Sequence, residues 1–153
     1  MASVRRVVTG HDTKGRAVVK HDDLRGGADQ WSALVWTTDT VPADNNDERD
    51  GASRESMSAL NGSLCRYSEI PPGFESAMHR TATLDFGIIL EGEIEMPLDG
   101  GERVTLRAGD VIVQRGTNHS WANKSSTPCR IFWAMIEAGP VAIEGKPLGI
   151  TSG

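Results

Sequence analysis

The chain has 153 residues, enough for one domain that buries its own core, and its 38% hydrophobic and 24% charged residues are ordinary globular proportions. Its 17 glycines and 7 prolines are more than a helical bundle tolerates and point to a turn-rich β protein. A formal net charge of −5 argues against a surface that tracks nucleic-acid phosphates, and no run approaches the ~20 apolar residues of a membrane-spanning helix.

Two β-branched segments, Val4 to Thr9 and Arg16 to Lys20, flank a Gly10–Gly15 turn and predict a hairpin. No apolar segment follows Arg5 and Arg6, so nothing there reads as a leader, and a cytoplasmic protein is expected. Cys65 and Cys129 show no CxxC spacing and read as two buried reduced thiols, in keeping with that compartment. Ser32 to Thr38, with Leu34, Val35 and Trp36, predicts a third strand. Residues 1–38 are thus read as a hairpin and strand packing on whatever follows.

Residues 39–61 are polar, acidic and aperiodic around Asp44 to Gly51, with a helical turn expected over Arg54 to Leu60. A loop of this length is either a surface excursion or a lid. From Ser63 the chain reads as strands and turns only: Ser63–Ile70, Leu84–Leu90, Glu91–Leu98, a return strand with Val104 and Leu106, Val111–Gln114, His119–Asn123 and Arg130–Glu137. Turns every 8–12 residues are the spacing of an all-β sandwich or barrel, here over residues 62–138. The tail, residues 139–153, has no periodic pattern and reads as an arm or a frayed end.

In a continuous strand, His79, Thr81, Thr83 and Asp85 share one face by period two, and Gly87 and Ile89 continue it. Polar groups on an interior face must be satisfied by one another, by water, by a ligand or by a metal, since each costs about 1–3 kcal/mol otherwise. Farther along, a glycine turn presents His119 at a strand end, with Trp121 and Asn123 sharing its face.

Those two segments resemble the two motifs of the cupin superfamily. In the first, G-x5-H-x-H-x3–4-E-x6-G, the chain matches with Gly73, His79, Asp85 and Gly92; Thr81 stands at the second histidine, and Asp85 replaces the glutamate. In the second, a glycine and a short strand followed by P-x-G-x2-H-x3-N, it matches with Gly109, Gly116, His119 and Asn123; Gln114 stands at the proline, with one residue fewer before it. The likeness covers Ser63 to Glu137 and looks like a small single-domain bacterial cupin. It implies an all-β double-stranded β-helix (jelly-roll) barrel, to which the N-terminal hairpin is an extension.

The resemblance further implies a divalent metal in the barrel, iron, zinc, manganese or nickel. Its ligands would be His79, Asp85 and His119, a two-His, one-carboxylate set with open positions for substrate and oxygen. A metal-free pocket, in which Asp85 partners Thr81 or a histidine, is the alternative. The first functional expectation is oxygen-dependent oxidation of a small aromatic or polyketide-like molecule, with Thr81, Trp121, Ile89 and Phe132 lining the substrate pocket. Rival expectations are a lyase, isomerase or dehydratase using the same residues as acid and base, and a non-catalytic ligand-binding barrel. Trp31, Trp36 and Trp133 read as core or subunit-contact residues, and Met78, Met96 and Met135 as core filler. Phe86, Ile88 and Leu90 face outward and need cover; the N-terminal hairpin or a partner subunit would supply it, which suggests a homodimer.

Overall fold

A computed structural model describes residues 2–26, 31–53 and 61–151. The hairpin expected at the N-terminus is β1 (Ser3–His11) paired antiparallel with β2 (Ala17–Gly26), both longer than the β-branched segments that suggest them. The remaining strands are β3 (Ser32–Thr38), β4 (Ser63–Ile70), β5 (Thr83–Glu91), β6 (Glu93–Pro97), β7 (Arg103–Arg107), β8 (Val111–Arg115), β9 (Cys129–Glu137), β10 (Ala142–Ile143) and β11 (Lys146–Pro147). No helix occurs among the described residues, and none that is long and apolar enough to cross a membrane. The helical turn expected over Arg54 to Leu60 lies outside the described residues.

Five strands form one antiparallel sheet in the order β3-β4-β9-β5-β8. The facing layer is more ragged. It consists of the β6–β7 pair extended by isolated bridges, Glu95 to Ala122, Leu98 to His119, Glu75 to Ala122 and His79 to His119. Alternation along β5 and β9 turns the odd-numbered residues inward: Thr83, Asp85, Gly87 and Ile89, and Cys129, Ile131, Trp133 and Met135. These meet Ile94, Met96 and Leu106 from β6 and β7 and Trp121 from the loop before β9, making one continuous core between the layers. The result is a jelly-roll barrel.

Sequence order puts β5 and β6 only one residue apart, and that residue is Gly92. It has φ +77°, and a Cβ there would lie 2.5 Å from the Pro128 carbonyl oxygen, so the sharp passage between layers requires glycine.

Outside the barrel, the hairpin packs beside β3, at the opposite edge of the sheet from β8. It therefore leaves Phe86, Ile88, Leu90, Val111 and Val113 exposed on the outer face of β5 and β8, which corrects the expectation that the hairpin covers that face within one chain. Buried Arg6 pins the hairpin to the acidic loop. Its guanidinium lies 2.7 Å from Asp23 and 2.6 Å from Asp50 and sits over the Trp36 ring. The described part of the loop, 39–53, is held on this side, and none of it lines the histidine cavity described below.

The tail is ordered rather than frayed over its described length. It turns through the β10–β11 hairpin, and its end returns to the barrel, where Arg80 N donates to Thr151 O. Cys65 is half-buried and Cys129 buried, and both are free thiols.

Candidate active site

Four of the polar residues singled out from the sequence meet at one end of the barrel. His79, Thr81, Asp85 and His119 line a cavity of about 30 Å³ together with Arg66, Trp121, Trp133 and Met135. The two histidines come from the facing layer, where their backbones form a reciprocal bridge: His79 N donates to His119 O at 2.7 Å and His119 N to His79 O at 2.9 Å. That pairing sets their ring centroids 4.3 Å apart, and the aromatic contact continues from His119 to Trp121 (5.4 Å) and from Trp121 to Trp133 (5.3 Å). Asp85 reaches the cavity from β5, beside Gln114 on β8 and Met135 on β9.

Each histidine is held the same way. Nδ1 of His79 lies 3.0 Å from the Ala77 carbonyl oxygen and Nδ1 of His119 lies 2.9 Å from that of Thr117. A carbonyl only accepts, so in each ring Nδ1 carries a proton and Nε2 is the nitrogen left outside that bond. Burial pushes the His119 imidazolium down to about 4, opposed by the Thr117 carbonyl and assisted by the neighbouring His79, so its ring is neutral at pH 7.

Burial also dominates at Asp85, pushing its carboxyl above the ordinary range against smaller opposing pulls from the Thr83 hydroxyl, Arg66 and His79. Its Oδ1 is buried without a hydrogen-bond partner, as is Nε2 of Gln114 next to it in register. An acceptor and a donor thus stand unpaired side by side in the barrel. Thr83 donates to the Thr81 hydroxyl instead, at 2.8 Å.

Among the described residues, no group of three or more His, Cys, Asp or Glu side chains stands together as ligands. Thr81 occupies the position of a second strand histidine, and Asp85 is one methylene shorter than the glutamate of the resembled motif.

The cupin domain family matches residues 66–135. Over 97% of its length and 86% of theirs, the chain is 39% identical to the phomopsin biosynthesis cluster protein C' of Diaporthe leptostromiformis. It is 31% identical to the cupin-domain-containing oxidoreductase fogC of Aspergillus ruber, over 97% of this chain and 79% of that one. To the cupin-domain-containing oxidoreductase virC of Hypocrea virens it is 33% identical, over 90% and 78%.

The chain belongs to the cupin superfamily.

These relatives are fungal, and the likeness extends well beyond the barrel motifs into the hairpin and the arm. Within this cupin, two expected lining residues are placed elsewhere. Phe132 has the outward parity of β9, opposite Tyr67 and Ile88, because the strand's inward face is taken by its odd-numbered residues. Ile89 does point inward, but it lies four residues beyond Asp85, buried in the core away from the cavity. Their places are taken by Trp133 and Met135, which sequence reasoning assigned to the core.

Residues 119–123 form isolated bridges rather than a regular strand and are buried throughout. Asn123 clamps the chain, donating from Nδ2 to the Ile70 and Thr127 carbonyls. Arg66 and Gln114 were missed. Their signal was parity: Arg66 shares the face of Leu64, and Gln114 that of Ile112, both core positions.

Proposed function

We propose that this cupin is a cytoplasmic small-molecule enzyme of the oxidoreductase type, with its reacting centre at His79, His119, Asp85 and Thr81. Curated relatives that align with nearly the whole chain and carry the name cupin-domain-containing oxidoreductase support the class. The free thiols Cys65 and Cys129 support a reducing compartment. The observation that carries the site is the pair of imidazoles with both Nδ1 protons committed to backbone carbonyls, which leaves the two Nε2 atoms for chemistry beside a polar cavity.

In this reading neutral His119 is the base. Its Nε2 takes a proton from the substrate's hydroxyl or activated carbon, and the Thr117 carbonyl steadies the cation that forms. The adjacent, tilted His79 ring orients the same atom from the other side. Asp85, with its carboxyl raised by burial, and Thr81 hold the substrate's polar group. Trp121 and Trp133 wall off water. Dioxygen is the electron acceptor in this proposal: the deprotonated substrate, a small aromatic or polyketide-like molecule, gives up two electrons and one further proton, and with the proton held by His119 these reduce dioxygen to hydrogen peroxide. The divalent ion that the family resemblance implies would be held by His79, His119 and Asp85, and it would supply Lewis-acid or redox chemistry there.

Oxygen uptake with a panel of phenols, alcohols and aldehydes tests the reading. Turnover that consumes oxygen in the wild type and falls at least about a hundredfold in His119→Ala supports it. Product formation with no oxygen consumed and no change of oxidation state would overturn it. That outcome would favour the acid–base isomerase or dehydratase. Elemental analysis of the wild type against a His79→Ala, His119→Ala double variant settles the metal separately: equal metal in both means that the histidines hold none.

A further inference from the structure

The cavity at the histidines, about 30 Å³, has room for one water-sized group. The body of any organic substrate must therefore be held elsewhere. A second cavity of about 270 Å³ adjoins it, close to the lower end of ordinary ligand pockets, and Thr81 lines both. This larger chamber is built by the C-terminal arm. Ala138 N donates to Ala82 O, Leu148 N to Val141 O and Arg80 N to Thr151 O, so the arm arches from the end of β9 back to the segment that carries His79. The Thr151 hydroxyl donates to Asn118 Oδ1, one residue before His119.

The chemistry of the lining is uneven. Leu84, Val141, Leu148 and Ile150 supply apolar wall, and the charges are two guanidiniums, Arg80 and Arg115. No carboxylate lines the chamber among the described residues. Arg80 is only 15% exposed in its side chain. It donates to the Gly149 carbonyl at 3.3 Å, stands 4.0 Å from Asp99 and has an Nε with no hydrogen-bond partner. Arg115 is exposed at the rim. Two cations over an apolar wall, on a chain of net charge −5, are a local inversion of the molecule's charge.

We infer that this arm-built chamber holds the body of the substrate and selects an apolar carboxylate, with the acid on Arg80 and Arg115 and the reacting end directed past Thr81 to the histidines. The inference rests on the proposed reacting centre for its second half, but binding in the chamber does not.

Calorimetric titration with 4-phenylbutyrate and its alcohol, 4-phenylbutanol, tests it, with amide chemical shifts locating the probe. The acid is expected to bind about tenfold more tightly than the alcohol, with shifts in residues 80–84 and 138–150. Arg115→Gln, at an exposed position, should narrow that preference to about threefold or less and leave the alcohol's affinity unchanged. Leu148→Asp should abolish acid binding at an unchanged Tm. Equal affinity for acid and alcohol, or shifts confined to other surfaces, overturns the inference. His119→Ala should bind the acid as the wild type does. Loss of turnover with intact acid binding then counts only against the reacting centre, and intact turnover on substrates without acid preference counts only against the chamber.

Discussion

His119 carries the sharpest consequence of burial at a single residue. Its folded pKa of about 4 lies below the ordinary 6.5, so between those values the unfolded chain takes up a proton that the folded one refuses. Stability attributable to this group is therefore complete above about pH 6.5 and is lost as pH falls towards 4, by up to about 3 kcal/mol. Asp85 acts in the opposite direction. Its raised carboxyl keeps a proton longer in the folded state, so its contribution weakens as pH rises out of the acid range. Urea denaturation across this range should show a steeper acid loss in the wild type than in His119→Gln. An identical acid limb in the two proteins would mean that His119 is not held neutral by burial.

At the scale of strands, one glycine sets the packing behind the histidines. Gly87 on β5 is paired with Trp133 on β9 and Ile112 on β8. A Cβ at Gly87 would lie 2.5 Å from the Trp133 ring and 2.9 Å from Ile112. The bare backbone lets Trp133 lie flat against β5 and reach Trp121, which in turn meets His119. Gly87→Ala should cost about 2 kcal/mol of stability by overpacking. It should also alter the near-ultraviolet dichroism of the tryptophan pair. If stability and dichroism are both unchanged, the tryptophans are not held by that contact. Alternation also explains the misplaced substrate wall. In β9 the residues at 131, 133 and 135 face inward, and neighbouring Phe132 faces out, a one-residue difference that inverts the side a side chain serves.

At the scale of the whole molecule, the sheet's two edges are treated differently. The β3 edge is closed by the hairpin and the Arg6 network, while the β5 and β8 face keeps Phe86, Ile88, Leu90, Val111 and Val113 in solvent. We propose that a second copy of the chain covers this face, as an apolar surface of this extent on an edge strand invites. Sedimentation should give a dimer for the wild type and a monomer for Val113→Lys at the same concentration. A monomeric wild type would remove the proposal. The C-terminal arm joins the barrel at this scale too, since its contacts with residues 80, 82 and 118 link segments far apart in sequence.

Much of this was legible from the chain alone. Hydrophobic alternation and turn glycines located the strands from Ser63 to Glu137 to within a few residues, because a side chain's face in a strand depends only on parity. The cupin resemblance carried by Gly73, His79, Gly116 and His119 implied the barrel and the two imidazoles in it. The sequence could not determine how far Asp85 reaches, because that depends on where the facing layer holds the histidines, nor that Arg66, Trp133 and Met135 share their cavity. Nor could local pattern decide between an arm and a frayed end. Residues 139–151 have no periodicity of their own, and their order comes from hydrogen bonds to distant segments, which exist only once the barrel has closed.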